Sequence, residues 1–258
     1  MIDLHCHVLP GIDDGPEALE GSLALALAAA AIGTRTLVAT PHVSRRFPND
    51  ATTIAHLVEQ LNRRLRADGV SIEILAGGEI AATHAPKLSP EQLRSLHLGV
   101  GPWLLIEPSF TQGVAGLEGL IADLQRAEHR VLLAHPERCT AFHRDPLMLA
   151  ALVQRGVLTS ITAGSLVGRF GEHVRRFAMQ LARDGLIHNV ASDTHDRVRR
   201  PPGMAEEIER AGLGRLSDWL TEDVPAAIIS GAEVPPRPVP VGAALERRSW
   251  WRRGRKIA

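Results

Sequence analysis

Tyrosine is absent from all 258 residues, and lysine nearly so: Lys87 and Lys256 stand against 27 Arg. A chain without a phenol cannot itself be a tyrosine-phosphorylated substrate. Cysteine is limited to Cys6 and Cys139, too few for a disulfide framework. Net charge is absent as well, with 29 basic residues balancing 29 acidic ones, which removes the global electrostatic reason to expect nucleic-acid or membrane binding. No apolar run is long enough to span a bilayer; the best, 23–32, is short and mostly alanine. Met1 leads straight into Asp3, His5 and His7, which is no signal peptide. There is no GxSxG elbow, Walker A motif or GxGxxG fingerprint. These absences point to a soluble protein in the reducing cytoplasm with no nucleic-acid partner.

What is present suits one large α/β domain: 45% hydrophobic and 22% charged residues argue for a packed core. Short β-branched or Leu-rich runs recur at roughly 25–35-residue intervals, the size of a strand-plus-helix unit. The pattern predicts strands at 2–6, 35–40, 72–77, 103–107, 130–135, 157–162 and 187–192. Helices are expected at 16–32, 50–67 with Asp50 as N-cap, 116–127, 146–155 and 172–183. Seven such units suggest a distorted seven-stranded, TIM-like β/α barrel; an open doubly wound sheet is the other arrangement this rhythm allows. The run 235–240 (PPRPVP) should end the domain, dividing the chain into 1–234 and a flexible tail of 235–258. Within that tail, 246–258 carry five Arg, one Lys and one Glu, a net +5 that leaves the rest of the chain at −5. Solvated disorder is favoured for the tail over contact with an anionic membrane.

The acidic body carries 12 histidines, and five of them fall at one kind of place. His5 and His7 end the first expected strand, and His42 follows the second. Glu79 follows the third, Glu107 ends the fourth, and His135 ends the fifth. Asp193 and His195 follow the seventh. In a β/α barrel the carboxyl ends of the strands gather at one mouth, so these residues would converge. HxH and DxH spacings on a strand put both side chains on one side. Imidazole with carboxylate and no thiolate suits manganese, iron or zinc, and the donors exceed what one ion needs. Two ions about 3.5–4 Å apart are the usual clamp for in-line attack on phosphorus.

Taken singly, an HxH pair reads as two hydrogen-bonded strand histidines, a strand-end Glu as a cap, and Pro-His as a turn. The joint placement is what favours metal. His56, His84, His97, His129, His143, His173 and His188 fit no such pattern. In PGIDDGPE one of Asp13 and Asp14 is expected to cap the next helix and the other, Asp14, to ligate. Arg138 and Arg200 follow the His135 and His195 motifs and suit phosphate oxygens; Arg45, Arg46, Arg197 and Arg199 are weaker candidates. Cys6 should point away from the ligands beside it, and Cys139 has no obvious partner base, so a thiolate mechanism is unsupported.

The blocks MIDLHCHVLPGIDDGPE, VATPH, GGEI, LLIEPS, LLAHPER, VASDTH and RRPPGM resemble the PHP (polymerase and histidinol phosphatase) superfamily. Within it, they are similar to the CpsB/CapC-type manganese-dependent tyrosine phosphatases of capsule and exopolysaccharide systems. The likeness runs over roughly residues 1–231, and the opening block is the most specific part. It implies a PHP-fold barrel with three divalent or trivalent metal ions, manganese before iron or zinc. Carried over, His5, His7, Glu79 and Asp193 would hold the first ion, Glu79, Glu107 and His135 the second, and Asp14, His42 and His195 the third. Arg138 and Arg200 would bind phosphate. The resemblance further implies a phosphotyrosine protein as substrate, with a bacterial tyrosine kinase as candidate partner. The basic segment VSRRFPND after His42 departs from the family pattern. Histidinol phosphate or another small phosphomonoester is the alternative substrate within the superfamily, and an inactive regulatory PHP module the alternative outside catalysis. Oligomeric state is left open.

Overall fold

Five consecutive buried residues, Ile2–Cys6, form β1. A strand buried on both faces belongs in a parallel sheet covered by helices. The computed structural model describes residues 1–110 and 114–238. The remaining strands are β2 (Thr36–Ala39), β3 (His42–Val43), β4 (Glu73–Ala76), β5 (Glu79–Ala81), β6 (Trp103–Glu107), β7 (Arg130–Ala134), β8 (Leu158–Thr162) and β9 (Asn189–Ala191). Every ladder between them is parallel.

The strands form two sheets, one ordered β1-β2-β4 and the other β3-β5-β6-β7-β8-β9. Two expected strands therefore appear as four. The 35–40 strand stops before Thr40-Pro41 and resumes at His42, because Pro41 has no N–H to give a ladder. The 72–77 strand breaks at Gly77-Gly78. There a Cβ on Gly77 would lie 2.9 Å from Leu98 Cδ2 and 3.0 Å from Val38 Cγ1. Both breaks hand the chain from the first sheet to the second. The free edges of β1 and β9 meet through a parallel bridge between Cys6 and Thr194. The His7 amide donates to the Thr194 carbonyl, and the Asp193 amide to the His5 carbonyl, each at 2.9 Å. The architecture is thus α/β with parallel sheets, and no closed barrel is found among the described residues.

Helices cover the sheets much as the apolar spacing predicts. Ala51–Ala67 is capped by Asp50, whose carboxylate accepts from the amides of Thr52 and Thr53, and it buries Ile54, Val58, Leu61 and Leu65. The first helix begins later than expected, at Leu19, behind Ala18. Helices Ala205–Arg210 and Val224–Ser230 lie outside the expected set. The second closes the amino-terminal end of β6: the Val100 and Gly101 amides donate to the Ile229 carbonyl at 2.9 and 3.1 Å.

Trp219 Nε1 donates to the Pro235 carbonyl and Arg237 to the Ala182 carbonyl, both at 3.0 Å, so 235–237 lie against the body. The basic tail at 246–258 falls outside the described residues. Among those described, no helix is long and apolar enough to cross a membrane.

Candidate metal centre

All nine expected ligands come together where β1, β6, β7 and β9 end and β3 and β5 begin. Glu79, the first residue of β5, sits at their centre. Its Oε1 lies 2.8 Å from His135 Nε2 and 3.3 Å from His5 Nε2. Its Oε2 lies 2.9 Å from His42 Nδ1 and 3.3 Å from His7 Nε2. Asp193 Oδ1 faces His5 Nε2 at 3.5 Å and His7 Nε2 at 3.6 Å. Asp14 Oδ1 lies 3.2 Å from His195 Nε2 and 3.4 Å from His42 Nε2. Glu107 stands at the rim, 3.9 Å from His135 and 4.0 Å from His42.

Four overlapping donor groups result, each with its ligand atoms within 4.8 Å of one another: His7, Asp14, His42 and His195; His5, His7 and Asp193; His5, Glu79 and His135; and His42, Glu79 and Glu107. Their chemistry fits a metal ion. Glu79 Oε2, Asp193 Oδ1 and His195 Nε2 are buried, and although ring nitrogens or carboxylate oxygens lie close to them, none is aligned with a neighbour as a hydrogen bond. His5 Nε2 and His7 Nε2 face each other at 3.3 Å. Buried acceptors without donors are costly unless a cation lies among them.

The backbone bends to make this arrangement. His135 and Asp193 both adopt left-handed φ, 31° and 53°, just beyond their strands. Non-glycine residues rarely do so, and such strain gathers at functional sites. Asp193 also receives both expected arginines on Oδ2: Arg138 Nη1 at 3.0 Å, and Arg200 Nη2 in a closer ion pair. Arg45, Arg46, Arg197 and Arg199 are exposed.

Charge is concentrated here. Burial alone would raise the Glu79 carboxyl, but His5, His135 and His42 hold it well below its usual range. Glu107 is pushed up to about 7 by burial and by the charge of Glu79. Burial would lower His7, yet Asp13 and Glu79 raise it to about 10. His135 drops to about 4 through burial, against the pull of Glu79.

The Asp-Asp pair is resolved differently from the expectation. Neither residue caps the following helix. Asp14 reaches the donors, whereas buried Asp13 accepts from the amides of Gly15 and His42 and sits 2.7 Å from His7 Nδ1. Asp3 was not foreseen. Buried in β1, it accepts from the Ser192 amide and hydroxyl and from the His5 amide, joining the strand of His5 to the segment of Asp193. Phe110 was also missed. Its ring lies 5.1 Å from that of His135 and 4.8 Å from Arg138 Cζ, while Phe170 lies 4.4 Å from the same carbon. A strand-end rule cannot find residues that act through a neighbour. Cys6 points away from the donors, its thiol donating to the Val38 carbonyl.

Parallel strands whose carboxyl ends surround a buried imidazole–carboxylate cluster, with two arginines on one of its acids, define an α/β protein of the metal-binding hydrolase type. The family model for capsular polysaccharide synthesis, CpsB/CapC, matches residues 1–213, and the chain belongs to that family. It is 36% identical over 245 residues to tyrosine-protein phosphatase YwqE of Bacillus subtilis, covering 93% of this chain and 96% of that protein. Tyrosine-protein phosphatase CpsB of Streptococcus agalactiae is 28% identical over 214 residues, covering 80% of this chain and 87% of the relative. Among solved structures, one from work on YwqE of Bacillus subtilis and CpsB of Streptococcus pneumoniae, described as metal-dependent tyrosine phosphatases, superposes with a TM-score of 0.82 at 33% identity. That match covers 93% of this chain and 99% of the other. A lactonase of Listeria monocytogenes at 15% identity and a TM-score of 0.57 shares the fold alone.

Proposed function

We propose that this chain is a metal-dependent protein-tyrosine phosphatase acting in capsule or exopolysaccharide regulation. The observation that carries the reading is Glu79, a buried carboxylate within 3.3 Å of four imidazoles, beside an Asp193 that holds two arginines. In this reading the two parallel sheets are the arcs of one distorted seven-stranded barrel, and residues 1–234 form the catalytic domain. Three metal ions, manganese foremost, would be held by His5, His7, Glu79 and Asp193, by Glu79, Glu107 and His135, and by Asp14, His42 and His195. When bound, the ions would lower the pKa of an attacking water and draw charge from the phosphoryl oxygens.

The chain's own residues do the rest. Arg138 and Arg200 are held at the rim by Asp193, with N–H groups for the phosphoryl oxygens. Glu79 holds His135 by a hydrogen bond on Oε1, which also faces His5, and turns Oε2 toward His42 and His7. A phenolate leaving group, with a pKa of about 10, needs less protonation than a serine alkoxide. That favours phosphotyrosine, and the relatives named as tyrosine phosphatases support the same substrate class. A kinase carrying phosphotyrosine is the partner this chemistry would suit.

The test is hydrolysis of a phosphotyrosine peptide by protein loaded with Mn, Zn, Fe or Mg, alongside metal analysis. Activity should depend on metal and vanish in His135→Ala and Glu107→Ala proteins that remain folded. Unchanged turnover in either variant would overturn the reading.

A further inference from the structure

A cavity of about 310 Å³ opens beside Glu107, lined by Ala81, Ala82, Thr83, Pro108 and Phe110 among others. One end of it is the rim of the metal centre, since Glu107 lies within 4.0 Å of His42 and His135. The opposite character prevails elsewhere. Apart from Glu107, its lining residues carry no charge, and the ring of Phe110 forms one wall. The same ring touches the His135 imidazole and lies over the Arg138 guanidinium. Phe110 thus borders His135, Arg138 and the hollow at once.

We propose that this hollow is the leaving-group subsite and that Phe110 is its specificity-determining wall, selecting an aryl phosphate by stacking on the phenyl ring. The inference rests on the phosphomonoesterase reading above and deepens it. In this placement the phosphoryl group sits among the donors and Arg138, and its ester oxygen is directed past Glu107 toward the hollow. Past Glu107 the walls are Ala81, Ala82, Pro108 and Phe110 with the uncharged polar Thr83 and Ser109, and the Phe110 ring offers a flat contact area and a quadrupolar partner. A short alkyl chain such as that of phosphoserine would leave most of this surface wet. Phe170 serves a different purpose: it also packs on Arg138 but does not line the hollow. It is a positioning residue for the guanidinium.

That division makes the proposal testable by binding as well as by turnover. The experiment is calorimetry of the Mn-loaded full chain with two non-hydrolysed probes, phenylphosphonate and inorganic phosphate. The wild type should prefer phenylphosphonate. Phe110→Leu should cut that preference about 5-fold, the scale of one lost aromatic contact. Phe170→Leu should weaken both probes alike and leave the preference intact. Thr83→Trp, at an exposed wall position, should fill the hollow and lower phenylphosphonate affinity while sparing phosphate. A preference unchanged in both Phe110→Leu and Thr83→Trp would overturn the subsite. A wild type that binds phosphate and hydrolyses aryl phosphate, yet shows no preference for phenylphosphonate, would overturn it while leaving the phosphatase reading standing. A wild type that binds neither probe and hydrolyses no phosphomonoester would remove both.

Discussion

His7 Nδ1 lies 2.7 Å from Asp13 Oδ2, and this contact decides which ring nitrogen His7 turns toward the metal donors. With Nδ1 bound to the carboxylate, Nε2 is left to face Glu79 and Asp193. A carboxylate behind a ligating imidazole fixes its orientation and raises its basicity. Asp13 also accepts from the His42 amide, so one side chain steadies two of the expected ligands. Asp13→Ala is expected to weaken metal binding about 10–100-fold without removing a ligand. A competition titration with a metal-chelating dye would measure this. Wild-type affinity in the variant would show that His7 needs no such support.

Asp3 plays a comparable part for the strands. Its carboxylate accepts from the Ser192 hydroxyl at 2.5 Å, from the Ser192 amide at 3.1 Å and from the His5 amide at 3.3 Å. All of these groups are buried. Asp3→Ala would leave them unsatisfied, at a cost of about 1–3 kcal/mol. Asp3→Asn, which keeps an acceptor, should lose less. Urea unfolding of the metal-free proteins would give the order wild type, Asn, Ala. Equal stability of Ala and wild type would mean that water replaces the lost acceptor.

These two aspartates also mark where reading the sequence stopped short. His5, His7, His42, Glu79, Glu107, His135, Asp193 and His195 were legible because each stands at the end of an apolar run, where a parallel sheet gathers its side chains. Asp3 lies inside such a run, and its pairing with Ser192 depends on β1 meeting the far end of the chain. Asp13 and Asp14 are adjacent in a loop. Only the closeness of that loop to His7 and His42 separates them. The strand breaks at Pro41 and Gly77-Gly78 follow from local chemistry, yet their result, two sheets in place of one, depends on how neighbours pair. Phe110 and Phe170 lie 60 residues apart and have no periodic signature. Their common partner, Arg138, is visible only in three dimensions.

Metal uptake should be linked to protons. In the metal-free centre Glu107 is pushed up to about 7 and His7 up to about 10, so both carry protons over part or all of the neutral range. Ligation requires the carboxylate and the neutral imidazole. Binding must therefore release protons, and affinity must rise with pH. Manganese titration at pH 6.5 and pH 8 should show tighter binding at the higher value. Calorimetry in buffers of different ionisation enthalpy should report proton release. Glu107→Gln should release fewer protons than the wild type near pH 7. Pushing the other way, His135 is already neutral at these pH values, lowered to about 4 by burial, and contributes nothing to the release.

Acid sensitivity of the fold should include a contribution from His188, which lies away from the metal centre. Burial and then Arg237 lower it to about 4. Its Nδ1 faces the Thr159 amide at 3.3 Å and the Thr159 hydroxyl at 3.2 Å. The amide needs an acceptor there, so protonating Nδ1 would set two N–H groups against each other. In the unfolded chain the ring titrates near 6.5. Between pH 6.5 and 4 the unfolded state therefore binds more protons, and stability falls as pH drops through this window. The contribution is fully present above 6.5 and should shrink by about 1 kcal/mol at pH 5.5. His188→Asn keeps an acceptor but does not titrate. Urea unfolding at pH 7.5 and 5.5 should show a smaller acid loss in the variant than in the wild type, by about that amount. An identical acid loss in the two proteins would mean that His188 is reached by water and titrates alike in both states.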